Sequence, residues 1–204
     1  MFFIKFGITL INLKNKNSKI GIICHDAGGA EIISSFVKKF NKYKFIYFLK
    51  GPAIKIFKEK INLKFNFKSS VDFINECEIF ISGSSAINNH EFNTLTKIKK
   101  NNKKIYVFLN HWVNYIERFK RDNNIVLPDE IWVGDIYAKR IAKKKFKNTI
   151  VRFVKNPYYE EIKNSFKKNK FKNKYDYLYL TEPIKKQYSN KIKYNEISCL
   201  NNFV

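Results

Sequence analysis

Two adjacent polar side chains, His25 and Asp26, follow a short apolar run that has the composition of a buried strand. An imidazole titrates near neutral pH and can accept a proton from a hydroxyl group, and a neighbouring carboxylate can fix its tautomer. We therefore predict a catalytic role for both residues, with His25 as the general base. In the alternative interpretation, Asp26 caps the helix that follows it.

Two glycine-containing turns are candidates for contact with a ligand. Gly28 and Gly29 would let a ligand approach the main chain closely, and the alternative is that the turn is only tight. Gly83 precedes Ser84 and Ser85, whose hydroxyl groups would donate to a sugar hydroxyl or a phosphate, or would cap the next helix. We predict that these residues contribute to substrate binding.

Aromatic and polar residues after three further predicted strands complete the candidate site. His111 and Trp112 would form a sugar-stacking or base-like site, whereas the alternative for Trp112 is a half-buried position against the sheet edge. Asp135 would contact the substrate or cap a helix, and Asn156 follows the last of these strands. His90 stands near a predicted helix start, where we expect an exposed side chain.

Strands alternate with helical stretches along most of the chain. The predicted strands are 19–24, 44–49, 65–67, 77–81, 104–109, 130–133 and 149–154. The predicted helices are 31–40, 53–61, 71–75, 90–100, 137–146 and 158–168, with 113–119 either helix or loop. This alternation is typical of an α/β, doubly wound, Rossmann-like parallel sheet with helices on both faces. Its strands all end on one side, so the candidate residues are expected along one rim, where open α/β sheets bind ligands.

Composition divides the chain into three parts. Residues 1–18 form an apolar N-terminal extension that is too short for a membrane span; we favour an edge strand or a loose tail over a weak membrane anchor. Residues 19–168 form the Rossmann-like domain. Residues 169–204 are predicted to be a linker and the first strand and helix, at 175–180 and 194–204, of an incomplete second domain.

The chain is strongly basic, with 40 Lys and Arg against 17 Asp and Glu and a net charge of +23. Such charge attracts nucleic acid, anionic membrane surfaces and phosphate-bearing substrates. The lysines are spread along the chain, however, and Asn, Ile and Phe are abundant with them, so we favour compositional drift over a nucleic-acid surface. The cysteines Cys24, Cys77 and Cys199 form no CxxC pair, which favours a reducing, cytoplasmic location.

Several common motifs are missing. The loop after the first strand lacks the glycine spacing of a dinucleotide fingerprint and the Lys-Ser/Thr of a P-loop, and no GxSxG elbow is present. The histidines lack the spacing of a zinc site. We therefore predict no cofactor and no metal.

The order of the segments CHDAGGAE, GSS, NHW, EIWVGD and NPYYEEI resembles the N-terminal half of two-domain GT-B proteins. These are glycosyltransferases and UDP-GlcNAc 2-epimerase-like proteins of surface-polysaccharide synthesis. The segment LYLTEPIKKQY resembles the first strand of their second domain, so the resemblance extends from Lys19 to the C-terminus. It implies a role for Glu182 in a second-domain loop.

In GT-B proteins the second domain usually holds the nucleotide part of the sugar donor, and the first supplies acceptor contacts and often the general base. The resemblance therefore implies a glycan acceptor and a nucleotide-sugar donor as partners. It also implies a donor-binding half supplied by a separate chain, and peripheral contact with the inner face of the membrane.

We accordingly predict the acceptor-side domain of a glycosyltransferase-like protein in cell-envelope polysaccharide synthesis. The chain would be a truncated product, one piece of a split enzyme or a binding half. The alternative is a non-catalytic basic module that binds nucleic acid or an anionic membrane surface, and of these two partners nucleic acid is the less favoured.

Overall fold

The computed structural model describes residues 2–6, 9–13, 17–62, 69–168, 179–181 and 194–203. These residues fall into two compact units, Met1–Phe166 and Lys167–Val204. The strand predicted at 65–67, most of the strand predicted at 175–180, and Glu182 lie outside the described residues.

The N-terminal extension forms a hairpin. Strand β1 (Phe2–Phe6) pairs antiparallel with β2 (Thr9–Leu13) in a two-stranded sheet of its own. The prediction of an edge strand on the main sheet is therefore wrong. Pairing between neighbouring segments closes a much shorter loop than pairing with a distant sheet edge, and so costs less chain entropy.

Six parallel strands form the central sheet of the first unit. In chain order these six strands are β3 (Lys19–Cys24), β4 (Lys44–Leu49), β5 (Ile79–Ser82), β6 (Lys104–Leu109), β9 (Glu130–Val133) and β10 (Ile150–Phe153). Between β6 and β9 the chain forms a separate small antiparallel hairpin of β7 (Lys120–Arg121) and β8 (Asn124–Ile125). Across the sheet the order is β10-β9-β6-β5-β3-β4. The chain passes outward from β3 to β4 and then crosses back to β5, so the strand order reverses between β3 and β5. Open α/β sheets bind ligands outside the carboxyl ends of the strands at such a reversal.

Helices cover both faces of this sheet. In chain order they are α1 (Ala27–Lys39), α2 (Pro52–Ile61), α3 (Ser70–Glu76), α4 (His90–Lys100), α5 (Ile136–Lys145) and α6 (Pro157–Lys168), and α7 (Glu196–Phe203) lies in the second unit. Helices α1 and α2 pack on one face in a core that includes Phe36 and Trp132. Helices α3, α4 and α5 pack on the other, around Phe73 and Ile131. The predicted doubly wound α/β fold is confirmed.

Two local differences from the predicted elements bear on the site. Helix α1 begins at Ala27, earlier than predicted, so Gly28 and Gly29 lie in its first turn and not in a loop before it. The ambiguous stretch 113–119 is a loop that ends in a 3₁₀ turn, Glu117–Phe119, and leads into the β7–β8 hairpin. That hairpin was not predicted because its strands are short and polar, without apolar alternation. None of the helices in the described part of the chain is long and apolar enough to cross a membrane.

Candidate functional site

His25 and Asp26 form a side-chain pair at the carboxyl end of β3. His25 Nδ1 lies 2.8 Å from Asp26 Oδ1, and the side chains are 22% and 40% exposed. Asp26 occupies the N-cap position of α1, but its side chain makes no capping hydrogen bond. Asp26 was predicted either to contact the imidazole or to cap the helix, and in the structure its side chain contacts the imidazole.

Backbone contacts fix the position of the imidazole. The His25 N–H donates to Glu91 Oε1 over 2.8 Å, and the His25 carbonyl accepts from the Ala53 N–H over 3.1 Å. The Nε2 atom lies over Gly51, where an added Cβ would stand only 2.7 Å away. Gly51 also has a φ of +54°, which favours glycine. The imidazole nitrogen that is not paired with Asp26, Nε2, therefore lies so close to residue 51 that this residue must be a glycine.

Glu91 was not predicted from the sequence. It is only 5% exposed, and its second carboxylate oxygen, Oε2, is buried without a hydrogen-bond partner among the described residues. Burial is the main cause that raises the pKa of Glu91, while the hydrogen bond from the His25 N–H acts in the opposite direction. An acidic residue in the first turn of a helix is common at exposed positions, so the sequence carried no signal of this role.

The raised pKa of Glu91 predicts a pH-dependent stability difference. A carboxyl group with a raised folded-state pKa binds more protons in the folded than in the unfolded chain, so its contribution to stability falls as pH rises above the ordinary value of 4.5. A Glu91→Gln variant keeps an oxygen for the His25 N–H but cannot ionise. Urea unfolding should show the variant gaining stability relative to wild type as pH rises above 4.5, with no such trend below 4.5. If the wild type instead gained stability relative to the variant over this pH range, the raised pKa assigned to Glu91 would be contradicted.

His90 is buried, so the expectation of an exposed side chain is wrong. It is 8% exposed, and its Nε2 donates to the Phe48 carbonyl over 3.0 Å. Its ring also packs on the Phe48 ring, with centroids 4.8 Å apart. Burial is the main cause that lowers the pKa of His90. The start of α4 packs against the end of β4, a contact between distant segments that local sequence does not report.

Ser84 and Ser85 are turned into the protein. Ser84 is 3% exposed, and its hydroxyl donates to the Phe108 carbonyl over 3.2 Å. The Ser85 hydroxyl accepts from the N–H groups of Ile87 and Asn88, which closes the turn before α4. Both hydroxyl groups are therefore buried and engaged within the fold.

Arg118, a second residue that the sequence did not single out, joins two loops of the rim. It is 7% exposed, and its Nη1 donates to the Ser84 carbonyl over 2.6 Å and to Asn110 Oδ1 over 3.1 Å. Burial is the main cause that lowers the pKa of Arg118, and the nearby charges of Asp26 and Glu91 act in the opposite direction. A buried cation thus lies near Asp26 and Glu91 and holds the loops after β5 and β6 together.

The first-turn glycines of α1 make room for protein atoms. A Cβ at Gly28 would lie 2.6 Å from the Asn110 amide nitrogen, and a Cβ at Gly29 would lie 3.3 Å from the Gly83 Cα. The close approach predicted for a ligand is therefore made by the loops after β5 and β6. Gly29 and Gly83 let α1 begin directly against the β5 loop.

A cleft of about 660 Å³ opens at the carboxyl ends of β6, β9 and β10. It brings together His111, Trp112, Asp135 and Asn156, as expected from the common direction of the parallel strands. The described residues that line it are Ile32, Phe108, Leu109, Asn110, His111, Trp112, Gly134, Asp135, Ala138, Phe153, Lys155, Asn156, Tyr159 and Glu160. The sequence did not single out Lys155, Tyr159 or Glu160, because polar and aromatic residues are ordinary in the loop before a helix and in its first turn.

The polar residues of the cleft are held by helix caps. Asp135 Oδ1 accepts from the Ala138 N–H over 2.7 Å, and Asp135 Oδ2 accepts from the Trp112 indole N–H over 2.8 Å. Asn156 Oδ1 accepts from the Tyr158 N–H over 3.0 Å at the start of α6. Trp112 is 62% exposed, so the alternative of a half-buried tryptophan is wrong. The Asp135 contact presents the indole to solvent at the cleft mouth.

His25 and Asp26 do not line this cleft. Asn110 connects the two places, because it lines the cleft and its amide lies over Gly28 in the first turn of α1. No cluster of metal-ligating side chains is found among the described residues. Comparison of the chain with models of protein families and with curated proteins gave no match.

Proposed function

We propose that this protein is the acceptor-side domain of a GT-B-type glycosyltransferase in cell-envelope polysaccharide synthesis. The observation that carries the proposal is the His25–Asp26 pair, with Nδ1 and Oδ1 2.8 Å apart, at the strand-order reversal of a doubly wound sheet. A cleft lined by aromatic and polar residues lies farther along the same rim. These features provide a general base and a binding surface for a hydroxylated acceptor.

In the proposed reaction, Asp26 accepts a hydrogen bond from Nδ1–H of His25, which leaves Nε2 unprotonated. Nε2 takes the proton of the attacking acceptor hydroxyl. The hydroxyl oxygen forms a bond to the anomeric carbon of the donor sugar, and the bond from that carbon to the nucleotide diphosphate breaks with its electron pair on the diphosphate. Asp26 stabilises the imidazolium that results.

The composition of the cleft supports a saccharide ligand. The exposed rings of Trp112 and Tyr159 offer faces on which the apolar side of a sugar ring can stack. Lys155 and Glu160 supply groups that can bind hydroxyls. A volume of about 660 Å³ lies within the range of small-molecule sites and accommodates an oligosaccharide.

The separation of the cleft from His25 restricts the acceptor. A single sugar seated between Trp112 and Tyr159 would not reach Nε2, because Asn110 and the first turn of α1 lie between them. The proposal therefore requires an acceptor of more than one sugar. The nucleotide-sugar donor would be held by a donor-binding domain, on this polypeptide or another, that faces the same rim at the inner face of the membrane.

Binding of an N-acetylglucosamine trimer, measured by ligand-detected NMR, tests the acceptor site. We expect saturation transfer from the protein to the trimer, and a loss of about tenfold in affinity for Tyr159→Ala, in line with an aromatic contact of about 1.4 kcal/mol. Tyr137→Ala is the matched control, because Tyr137 is equally exposed but lies outside the cleft. No transfer to the trimer, or an equal loss in both variants, would contradict the proposal.

A further inference from the structure

Large apolar side chains lie exposed beside the mouth of the cleft. Trp112, Val113, Ile136 and Tyr137 are each between 58% and 65% exposed. They are neighbours in space, because the Trp112 indole donates to Asp135, the residue directly before Ile136. We call these four residues the rim patch.

Helix α5 continues the rim patch with positive charge. Its sequence, IYAKRIAKKK, contains no acidic residue, and Ala138 and Ala142 form its buried face. Arg140 and Lys144 follow Ile136 at helical intervals on the exposed face, and the Arg140 guanidinium lies 6.0 Å from the Tyr137 ring centroid. Aliphatic and aromatic side chains therefore occupy the first turn, and cations occupy the turns behind them.

This arrangement fits the interface of an anionic bilayer. Aromatic and aliphatic side chains enter the boundary between headgroups and acyl chains, while Lys and Arg beside them bind the lipid phosphates. The net charge of +23 attracts the protein to such a surface from a distance. Nucleic acid would use the cations of α5, but it offers no apolar phase for Val113 and Ile136.

We propose that the rim patch and the exposed cations of α5 dock this protein onto an anionic membrane surface. Trp112 belongs to both the rim patch and the cleft lining, so the docked bilayer would lie beside the mouth of the cleft. The proposal concerns a surface and does not depend on the transfer reaction.

Tryptophan fluorescence reports directly on the docking. The chain has two tryptophans, and Trp132 is fully buried, so a change in emission on vesicle binding arises from Trp112. With vesicles of equal parts phosphatidylglycerol and phosphatidylcholine, we expect a blue shift and quenching by brominated acyl chains. Vesicles of phosphatidylcholine alone should produce neither change. Unchanged Trp112 emission with the anionic vesicles would overturn the proposal.

Matched variants separate the apolar and charged contributions. Ile136→Ser with Tyr137→Ser should lower vesicle partitioning by about tenfold or more, whereas Ile150→Ser, at an exposed position at the amino end of β10 and so away from the carboxyl-end rim, should not. Lys143→Gln with Lys144→Gln should lower it by about thirtyfold, because each lysine near an anionic surface contributes about fivefold.

Two controls complete the test. Lys100→Gln, at the end of α4, combined with Lys104→Gln, at the start of β6, should leave partitioning close to wild type. Tyr159→Ala should weaken trimer binding but not vesicle binding, which separates this proposal from that of the acceptor site. Equal partitioning of the Ile136/Tyr137 variant and wild type would overturn the membrane proposal. Salt-sensitive binding to duplex DNA without vesicle binding would likewise overturn it, in favour of nucleic acid.

Discussion

Replacing His25 by asparagine should lower the rate of glycosyl transfer by about 10²- to 10⁴-fold, the usual contribution of a general base. Asparagine is close to histidine in size and can still donate to Asp26, but it cannot accept a proton from the acceptor hydroxyl. Acceptor binding should change little, because His25 does not line the cleft. The measurement is turnover with a nucleotide-sugar donor and the donor-binding domain supplied.

Asp26→Asn provides the graded comparison for His25→Asn. The amide would hold the imidazole but would not stabilise its protonated form, so the rate should fall while the fold is retained. Far-UV circular dichroism and trimer binding would establish that both variants are folded. Unchanged turnover in His25→Asn would remove His25 from the mechanism.

Replacing Arg118 by alanine should lower the free energy of unfolding by about 3 kcal/mol, among the larger effects expected of a single substitution. The guanidinium is buried and donates to the Ser84 carbonyl and to the Asn110 side chain, both of which would lose a charged partner. The loops after β5 and β6 would then no longer be joined, and Asn110 would lose one of the contacts that fix it beside the cleft. Denaturant unfolding measures the first effect, and trimer affinity measures the second.

Arg140→Ala is the control for Arg118→Ala. Arg140 lies on the exposed face of α5, and its removal should change stability by no more than about 0.5 kcal/mol. Arg118→Lys keeps the charge but loses the planar fork of donors, so its stability should lie between those of the alanine variant and wild type. A loss below about 1 kcal/mol in Arg118→Ala would show that the buried guanidinium does not hold the rim together.

The fold was predictable because the inner strands of its sheet, β6 and β9 among them, are almost fully buried. The apolar runs of β4, β6 and β9 stand between polar segments, and their bounds match the predictions. The gathering of polar residues on one rim followed from the common direction of parallel strands. The start of α1 was harder to predict, because two successive glycines are typical of a loop. They stand in the first turn of a helix here because the surrounding chain packs closely against that turn.

The buried polar residues of the site could not be predicted from local sequence. Glu and Ser are mostly exposed residue types and His is intermediate, and the burial of His90, Glu91 and Ser84 depends on contacts with β4, β6 and the end of β3 that are distant along the chain. Arg118 stands in a polar loop and its role depends on Asn110 and the β5 loop. The sequence therefore predicted where the rim lies, but it did not predict which residues of the rim hold the others in place.

The separation between His25 and the cleft could not be predicted from the sequence. All the candidate residues that the structure describes lie at or near one rim, yet the cleft lies at the ends of β6, β9 and β10 while His25 lies at the end of β3. Asn110 and the first turn of α1 separate them. Catalysis at His25 on an acceptor held in this cleft therefore requires a ligand that passes Asn110.

The position of the trimer in a structure of its complex with the protein tests this account most directly. We expect one sugar between Trp112 and Tyr159, and a terminal hydroxyl oxygen within about 2.6–3.2 Å of His25 Nε2. A trimer confined to the cleft or bound elsewhere, with no hydroxyl near Nε2, would contradict it.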